Sequence, residues 1–350
     1  MNSPTPVGAG LDALAELAHT APEHLVDRLQ ALATDVQLAY APNTLRSWRA
    51  DWRIWTAFCQ EQGFPTLPAD LPALRAFLDA RIAQKRSRAT LDHNLATLAL
   101  VHRLAGLPWA LDTLEGRLMW RGKRRSLPKR QAQASGLTLD LIERLQAPLA
   151  PGRPQDARDA ALMGVAFESM CRISELVALQ VDQLEVKPNG SGRLLIARSK
   201  TDPEGEGAVQ YLSPATVLRL QHWLRLAGIT EGPLFRSTPR SNQADRYARP
   251  LSARDIPRIL LRRAAAAGVV LPRISGHSTR VGAAQDLLAA DVGLPEVMRQ
   301  GRWKTARMPV RYAEDLEAER GGMARLLATR QAQQAGLQSA TMSDELDQGS

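Results

Sequence analysis

Arg193-Leu194-Leu195-Ile196-Ala197-Arg198-Ser199-Lys200, then Ala208-Val209-Gln210-Tyr211-Leu212 after a Gly- and charge-rich interval at 201–207, is the stretch that reads as β-structure. Two short apolar runs across a turn-forming segment predict a small antiparallel sheet with a mobile turn. On either side apolar residues recur at helical spacing, so the expected fold is mainly α.

Downstream, Ser213-Pro214 supplies an N-cap and an N1 proline, and further helices are predicted at 252–267, 277–290, 294–300, 305–312 and 315–332. Upstream, helices are predicted near 139–147, behind Thr138 as N-cap, and at 155–171. In the N-terminal half, Asn43 reads as the N-cap of a helix over Thr44 to Cys59. Its Trp48, Trp52 and Trp55 fall at i, i+4 and i+7, a stripe read as core packing. Helices follow around Leu71 to Ile82 and along Leu91, Leu95, Leu98 and Val101.

A chain of 350 residues exceeds one ordinary core. The expected division is a loose leader at 1–20, a helical domain at 21–130, a linker at 131–138, a mixed helical domain at 139–332 and a disordered tail at 333–350. Lys plus Arg exceed Asp plus Glu by 45 − 36 = 9, which points to a polyanionic partner, nucleic acid before membrane. Cys59 and Cys171 are too few and too far apart for a disulfide framework or a thiolate metal site, which fits a reducing cytoplasm. The chain has no apolar run of about 18 residues, and no membrane span is expected.

The basic residues cluster. Thr44, Arg46, Ser47, Arg49 and Arg53 share the polar face of the first helix, and Arg86, Arg88 and Thr90 lead into a helix carrying His93. Seven basic residues and no acidic ones lie between Gly116 and Arg130, among them Arg121, Lys123 and Arg124. Such faces suit phosphate backbones and groove edges. The spacing from Gly116 to Lys123 departs from that of a nucleotide-binding phosphate loop, so an ATPase is set aside.

Phosphoryl transfer needs a nucleophile, cationic donors for the phosphate oxygens, and groups to move protons. Arg172 stands where one helix ends and the next begins, with Glu175 one turn on to orient a neighbour. Lys200 closes a predicted strand beside the turn, a good place for a general acid. His277 and Arg280 share a helix face at i, i+3, Trp303 offers an indole N–H, and Tyr312 a phenol.

Arg-Ile-Ser-Glu-Leu at 172–176, Ser-Lys-Thr at 199–201, Ser-Gly-His-Ser-Thr-Arg-Val-Gly-Ala-Ala at 275–284, Gly-Arg-Trp-Lys at 301–304 and Arg-Tyr at 311–312 resemble the tyrosine recombinase (phage integrase) family. The resemblance runs from about residue 21 to 330. It implies a two-domain C-shaped DNA clamp, a helical core-binding domain joined to the catalytic domain. Arg172, Lys200, His277, Arg280, Trp303 and Tyr312 would be catalytic, supported by Glu175. Thr44, Arg46, Ser47 and Thr90 match DNA-facing positions, Arg254 a base-contacting arginine, and Arg273 a DNA contact before His277. Trp303 stands where most members carry histidine, which favours the branch that works without accessory factors.

The implied partner is double-stranded DNA with inverted-repeat arms, bound by a protein that is monomer or weak dimer when free and homotetramer on two sites. No cofactor or metal is implied. A type IB topoisomerase-like nicking and resealing enzyme and a catalytically silent DNA-binding protein are the alternatives. The catalytic set argues against the second, and the tail helix at 315–332, suited to docking on a neighbour, against the first.

Overall fold

The computed structural model describes residues 31–32, 34–128, 133–197, 207–238, 249–331 and 334, the side chains of 315–320 excepted. The predicted leader at 1–20, Lys200 with the turn at 201–206, and the tail beyond 334 lie outside them. The chain divides into two compact units, Met1–Ala132 and Gln133–Ser350.

The first unit holds α1 (Pro42–Gln62), α2 (Leu71–Ala83), α3 (Arg88–Ala105) and α4 (Leu114–Ser126). Trp52 and Trp55 are buried with Cys59, Leu74, Phe77 and Leu91, and Trp48 packs at the margin. The tryptophan stripe is therefore core. Trp55 meets Phe77 edge-on at 5.2 Å, and its Nε1 donates to the Thr66 carbonyl at 2.9 Å, so its one polar atom is satisfied inside the core. The predicted Asn43 cap is corrected: α1 starts with Pro42 at its first position after Ala41, and Asn43 lies within the first turn. A proline there has no N–H to lose, and its fixed φ suits the helix.

The second unit holds α5 (Leu139–Gln146), α6 (Pro154–Glu168), the one-turn α7 (Ile173–Leu176), β1 (Leu184–Val186), β2 (Gly192–Ile196), β3 (Ala208–Leu212), α8 (Pro214–Ala227), α9 (Asp255–Ala266), α10 (Ser278–Ala289), α11 (Leu294–Gly301) and α12 (Arg307–Arg320), with residues 322–331 helical beyond it. The antiparallel sheet has order β1-β2-β3, with Leu194 opposite both Leu184 and Gln210. Leu194 and Ile196 face inward while Arg193 and Leu195 are exposed. Strand β1 went unpredicted because three residues carry too little alternation to read.

The middle of α6, Ala161 to Ala166, is buried throughout, and α8 packs along it. Next to it, Asp159 is fully enclosed and accepts from Arg158, Arg262 and Arg263, a buried charge cluster closed by its own counter-ions.

Two further expectations are corrected. Of the expected linker at 131–138, read as exposed over 131–136, the described residues are packed: 133–136 are half-buried, and Leu137 is fully buried with its N–H donating to the Ser278 carbonyl at 2.8 Å. The breaks predicted between 305–312 and 315–332 are also displaced. Ala313-Glu314 contains no helix breaker, so α12 runs unbroken past Tyr312 and ends at Gly321.

Candidate active site

Helix α6 ends at Glu168, and the chain turns through Ser169, Met170 and Cys171 before α7 begins. Met170 takes a left-handed φ of 49°, which swings Arg172 out of the line of α6. Arg172 is the N-cap of α7. Glu175, at its third position, accepts the Arg172 N–H at 2.9 Å and the Arg172 guanidinium at 2.7 Å. A single carboxylate thus closes the helix start and orients the arginine. Cys171 is buried and its thiol is pushed up to about 11 by burial, which leaves it unreactive.

His277 precedes α10 and Arg280 lies in its first turn. A Cβ on Gly276 would fall 1.8 Å from Ile173 Cδ1, so only glycine lets the His277 turn press against α7. Arg280 is 2% exposed. It donates to the Met170 and Gly301 carbonyls, and its guanidinium carbon lies 4.3 Å from the centre of the Trp303 ring. Tyr312, buried on α12, meets the Trp303 ring edge-on, its ring centre 5.8 Å from that of Trp303.

The electrostatics tie these groups together. Burial and the Arg172 and Arg302 charges lower the Arg280 pKa to about 10, which leaves it protonated at neutral pH. His277 is exposed on one side, yet the protein around its ring and the charges of Arg280 and Arg172 hold its pKa below the usual histidine value. Burial raises the Tyr312 phenol, against the pull of Arg280, Arg311 and Arg172. The charges of Arg172 and Arg280 act on both His277 and Tyr312. The arrangement can hold an anion between two guanidiniums, beside a neutral imidazole and a protonated phenol.

Of the sequence-predicted set, Arg172, Glu175, His277, Arg280, Trp303 and Tyr312 come together here, while Lys200 lies outside the described residues. Tyr211 is exposed on β3. Sequence reasoning missed Arg302, whose guanidinium donates to Glu175 Oε2 at 2.7 Å. Its place inside the Gly-Arg-Trp-Lys motif was the available signal. Among the described residues, no group of three His, Cys, Asp or Glu side chains could hold a metal ion.

The basic surface lies in the first unit. Arg46 and Arg53 are exposed, with Thr44, Ser47 and Arg49 half-buried beside them. Asp51, unremarked in the sequence, accepts from His93 Nδ1 at 2.5 Å, Asn94 at 2.7 Å and Thr97 at 2.7 Å, and His93 Nε2 lies 3.3 Å from Ser47 Oγ. Arg88, Arg121, Arg124 and Arg125 line a cavity of about 510 Å³. Arg86 and Thr90 flank the start of α3, exposed and half-buried respectively. Lys123 is half-buried against Asp79, so part of its charge is already matched. In the second unit Arg254 is exposed at the start of α9, and Arg273 is exposed before α10.

Comparison with known proteins gives consistent matches. The profile of the phage integrase family matches residues 136–319. The chain is similar to the Cre recombinase of Escherichia phage P1, 28% identical over 308 residues, which cover 83% of this chain and 89% of that one. It is also similar to the tyrosine recombinase XerC of Mycobacterium sp. (strain KMS), 30% identical over 269 residues, covering 72% and 81%. Among solved structures, the fold resembles XerH site-specific recombinase bound to palindromic difH substrate, with TM-score 0.60, 14% identity and coverage of 90% and 95%. A lambda integrase dimer bound to a COC′ core site gives TM-score 0.57 at 17% identity, covering 88% and 81%.

Proposed function

The chain belongs to the phage integrase family of tyrosine recombinases, and from that premise we propose that it is a Cre-like site-specific recombinase with Tyr312 as nucleophile. The Tyr312 oxygen attacks a DNA phosphorus in line, forming a 3′-phosphotyrosyl bond as the bond to the 5′-oxygen breaks. The phenolic proton passes to His277, and Lys200 gives its proton to the leaving 5′-oxygen, which departs as a hydroxyl. Arg172 and Arg280 carry the phosphate charge, with Trp303 beside them and Glu175 orienting Arg172. The phosphotyrosyl bond keeps the phosphodiester energy, so strand rejoining requires no nucleotide.

The observation that carries this reading is that two guanidiniums act on both the phenol and the imidazole, one of them stacked on the ring that also contacts Tyr312. The basic surface of the first unit, with Arg254 and Arg273 of the second, supplies the DNA contacts. Strand exchange through a Holliday junction in a tetramer follows from the same reading. Met323, Leu326 and Leu327 are exposed along the helical stretch at 322–331, and an apolar groove of about 530 Å³ between α6, α10 and α11 offers a second copy a place to receive them. The protein would act in the cytoplasm, on DNA.

The test starts by selecting binding sequences from random DNA with the Tyr312→Phe protein. Nicked duplexes carrying the selected arms should then trap the parent protein covalently, and Tyr312→Phe should bind them without an adduct. An adduct that persists in Tyr312→Phe overturns the assignment. Relaxation of plasmids lacking the arms would instead identify a topoisomerase.

A further inference from the structure

Arg302 ends α11 with φ 54° and ψ 46°. Glycine adopts this left-handed backbone freely, whereas an arginine does so under strain that its surroundings must hold. The side chain shows what holds it. Its Nη1 donates to the Ser169 carbonyl at 3.1 Å, and its Nη2 to the Met170 carbonyl at 3.2 Å and to Glu175 Oε2 at 2.7 Å. The side chain is 8% exposed, so these bonds form away from water and are strong.

Its contacts fall on the turn that presents Arg172. Met170, itself at φ 49°, offers a carbonyl that accepts from both Arg302 and Arg280. Glu175 divides its carboxylate: Oε1 takes the Arg172 guanidinium, while Oε2 takes the Arg172 N–H and Arg302. Two left-handed residues from distant parts of the chain are thereby tied to each other and to the carboxylate that aims Arg172.

We infer that Arg302 is a positioning residue for DNA cleavage, acting through Glu175 and the Met170 carbonyl to hold Arg172 in place. The inference rests on the recombinase reading above. Arg302 need not touch DNA for this; its fork reaches the acceptors that fix the turn, and a lysine could satisfy only part of them. It also keeps Glu175 ionised. Burial alone would raise that carboxyl, but the Arg172 N–H and the Arg302 and Arg172 guanidiniums hold it below the usual carboxylate range.

The test uses the full-length protein and a nicked duplex carrying arms selected with Tyr312→Phe. Arg302→Gly relieves the backbone and deletes the fork. It is expected to melt as a folded protein and bind the duplex within about twofold of the parent, yet form the covalent adduct roughly 10–100-fold more slowly, the scale on which a small misplacement acts. Arg302→Lys should recover part of the rate. If Arg302 acts through Glu175, adding Arg302→Gly to Glu175→Gln should cost little beyond Glu175→Gln alone.

An adduct rate for Arg302→Gly within about twofold of the parent, or losses that multiply in the double variant, would overturn the inference. Should Arg302→Gly fail to fold, Arg302→Lys carries the same comparison of rate, alone and combined with Glu175→Gln. Failure of the parent protein itself to form an adduct would defeat the recombinase reading, and this inference with it.

Discussion

The guanidinium of Arg280 stacks on Trp303, 4.3 Å from the ring centre, while both of its terminal nitrogens donate to backbone carbonyls. A desolvated cation–π contact of this kind is worth about 2 kcal/mol. Trp303→Ala is therefore expected to slow adduct formation at least tenfold, and Trp303→Phe, which keeps a ring face, should lose less. Single-turnover trapping on a nicked duplex measures both.

The protonation states set the pH dependence. The folded His277 pKa is lowered, so the imidazole is neutral at neutral pH and free to accept a proton. The adduct rate should stay level from about pH 8 down to about pH 6.5 and fall only below it. The pH–rate profile checks this, and His277→Asn should remove the limb. Ionisation of free Tyr312 should contribute nothing in that range, because burial holds the phenol above its usual value.

His102 is fully buried, and its Nε2 accepts the Ala69 N–H at 2.8 Å, which requires the neutral ring. Burial lowers its pKa, against a smaller opposite pull from the Leu98 carbonyl. The unfolded chain therefore takes up a proton first as the pH falls. This contribution to stability is complete above about pH 6.5 and is lost as the pH drops through the folded value. Five of the seven tryptophans lie in the first unit, so urea unfolding followed by tryptophan fluorescence reports mainly on it. The His102 part of the acid loss should vanish in His102→Gln.

Asp159, itself at zero exposure, accepts from the guanidiniums of Arg158, Arg262 and Arg263. Asp159→Ala strips buried Arg158 of its carboxylate and leaves Arg263 with Asp156 alone, and should destabilise the second unit by about 3–5 kcal/mol. Denaturant melts resolved by unit test this, and a loss under about 1 kcal/mol would contradict it.

Asp51 fixes His93 by taking its Nδ1 and leaves Nε2 beside Ser47. Asp51→Asn should weaken discrimination between selected and scrambled arms by roughly 5–100-fold, the worth of a good base contact, with adduct chemistry intact once the protein is bound. Competition binding with the two duplexes measures it.

The mainly helical fold, the two-stranded core of the sheet and the tryptophan stripe of α1 were legible because each repeats at a spacing that burial enforces locally. Arg172, His277, Arg280, Trp303 and Tyr312 were legible as residue types suited to phosphoryl transfer. Strand β1 was too short to carry a pattern, and the packing of Leu137 depends on a partner more than a hundred residues away in α10.

By itself, then, the sequence determined which elements form and which chemistries are present, since hydrophobic period, caps and side-chain type act over a few residues. Only the tertiary structure decided that Arg302 shares Glu175 with Arg172, that Asp51 holds His93, and that Trp303 contacts both Arg280 and Tyr312. Those pairings join residues up to 127 positions apart, and only burial of both partners against a common core brings them within bonding distance.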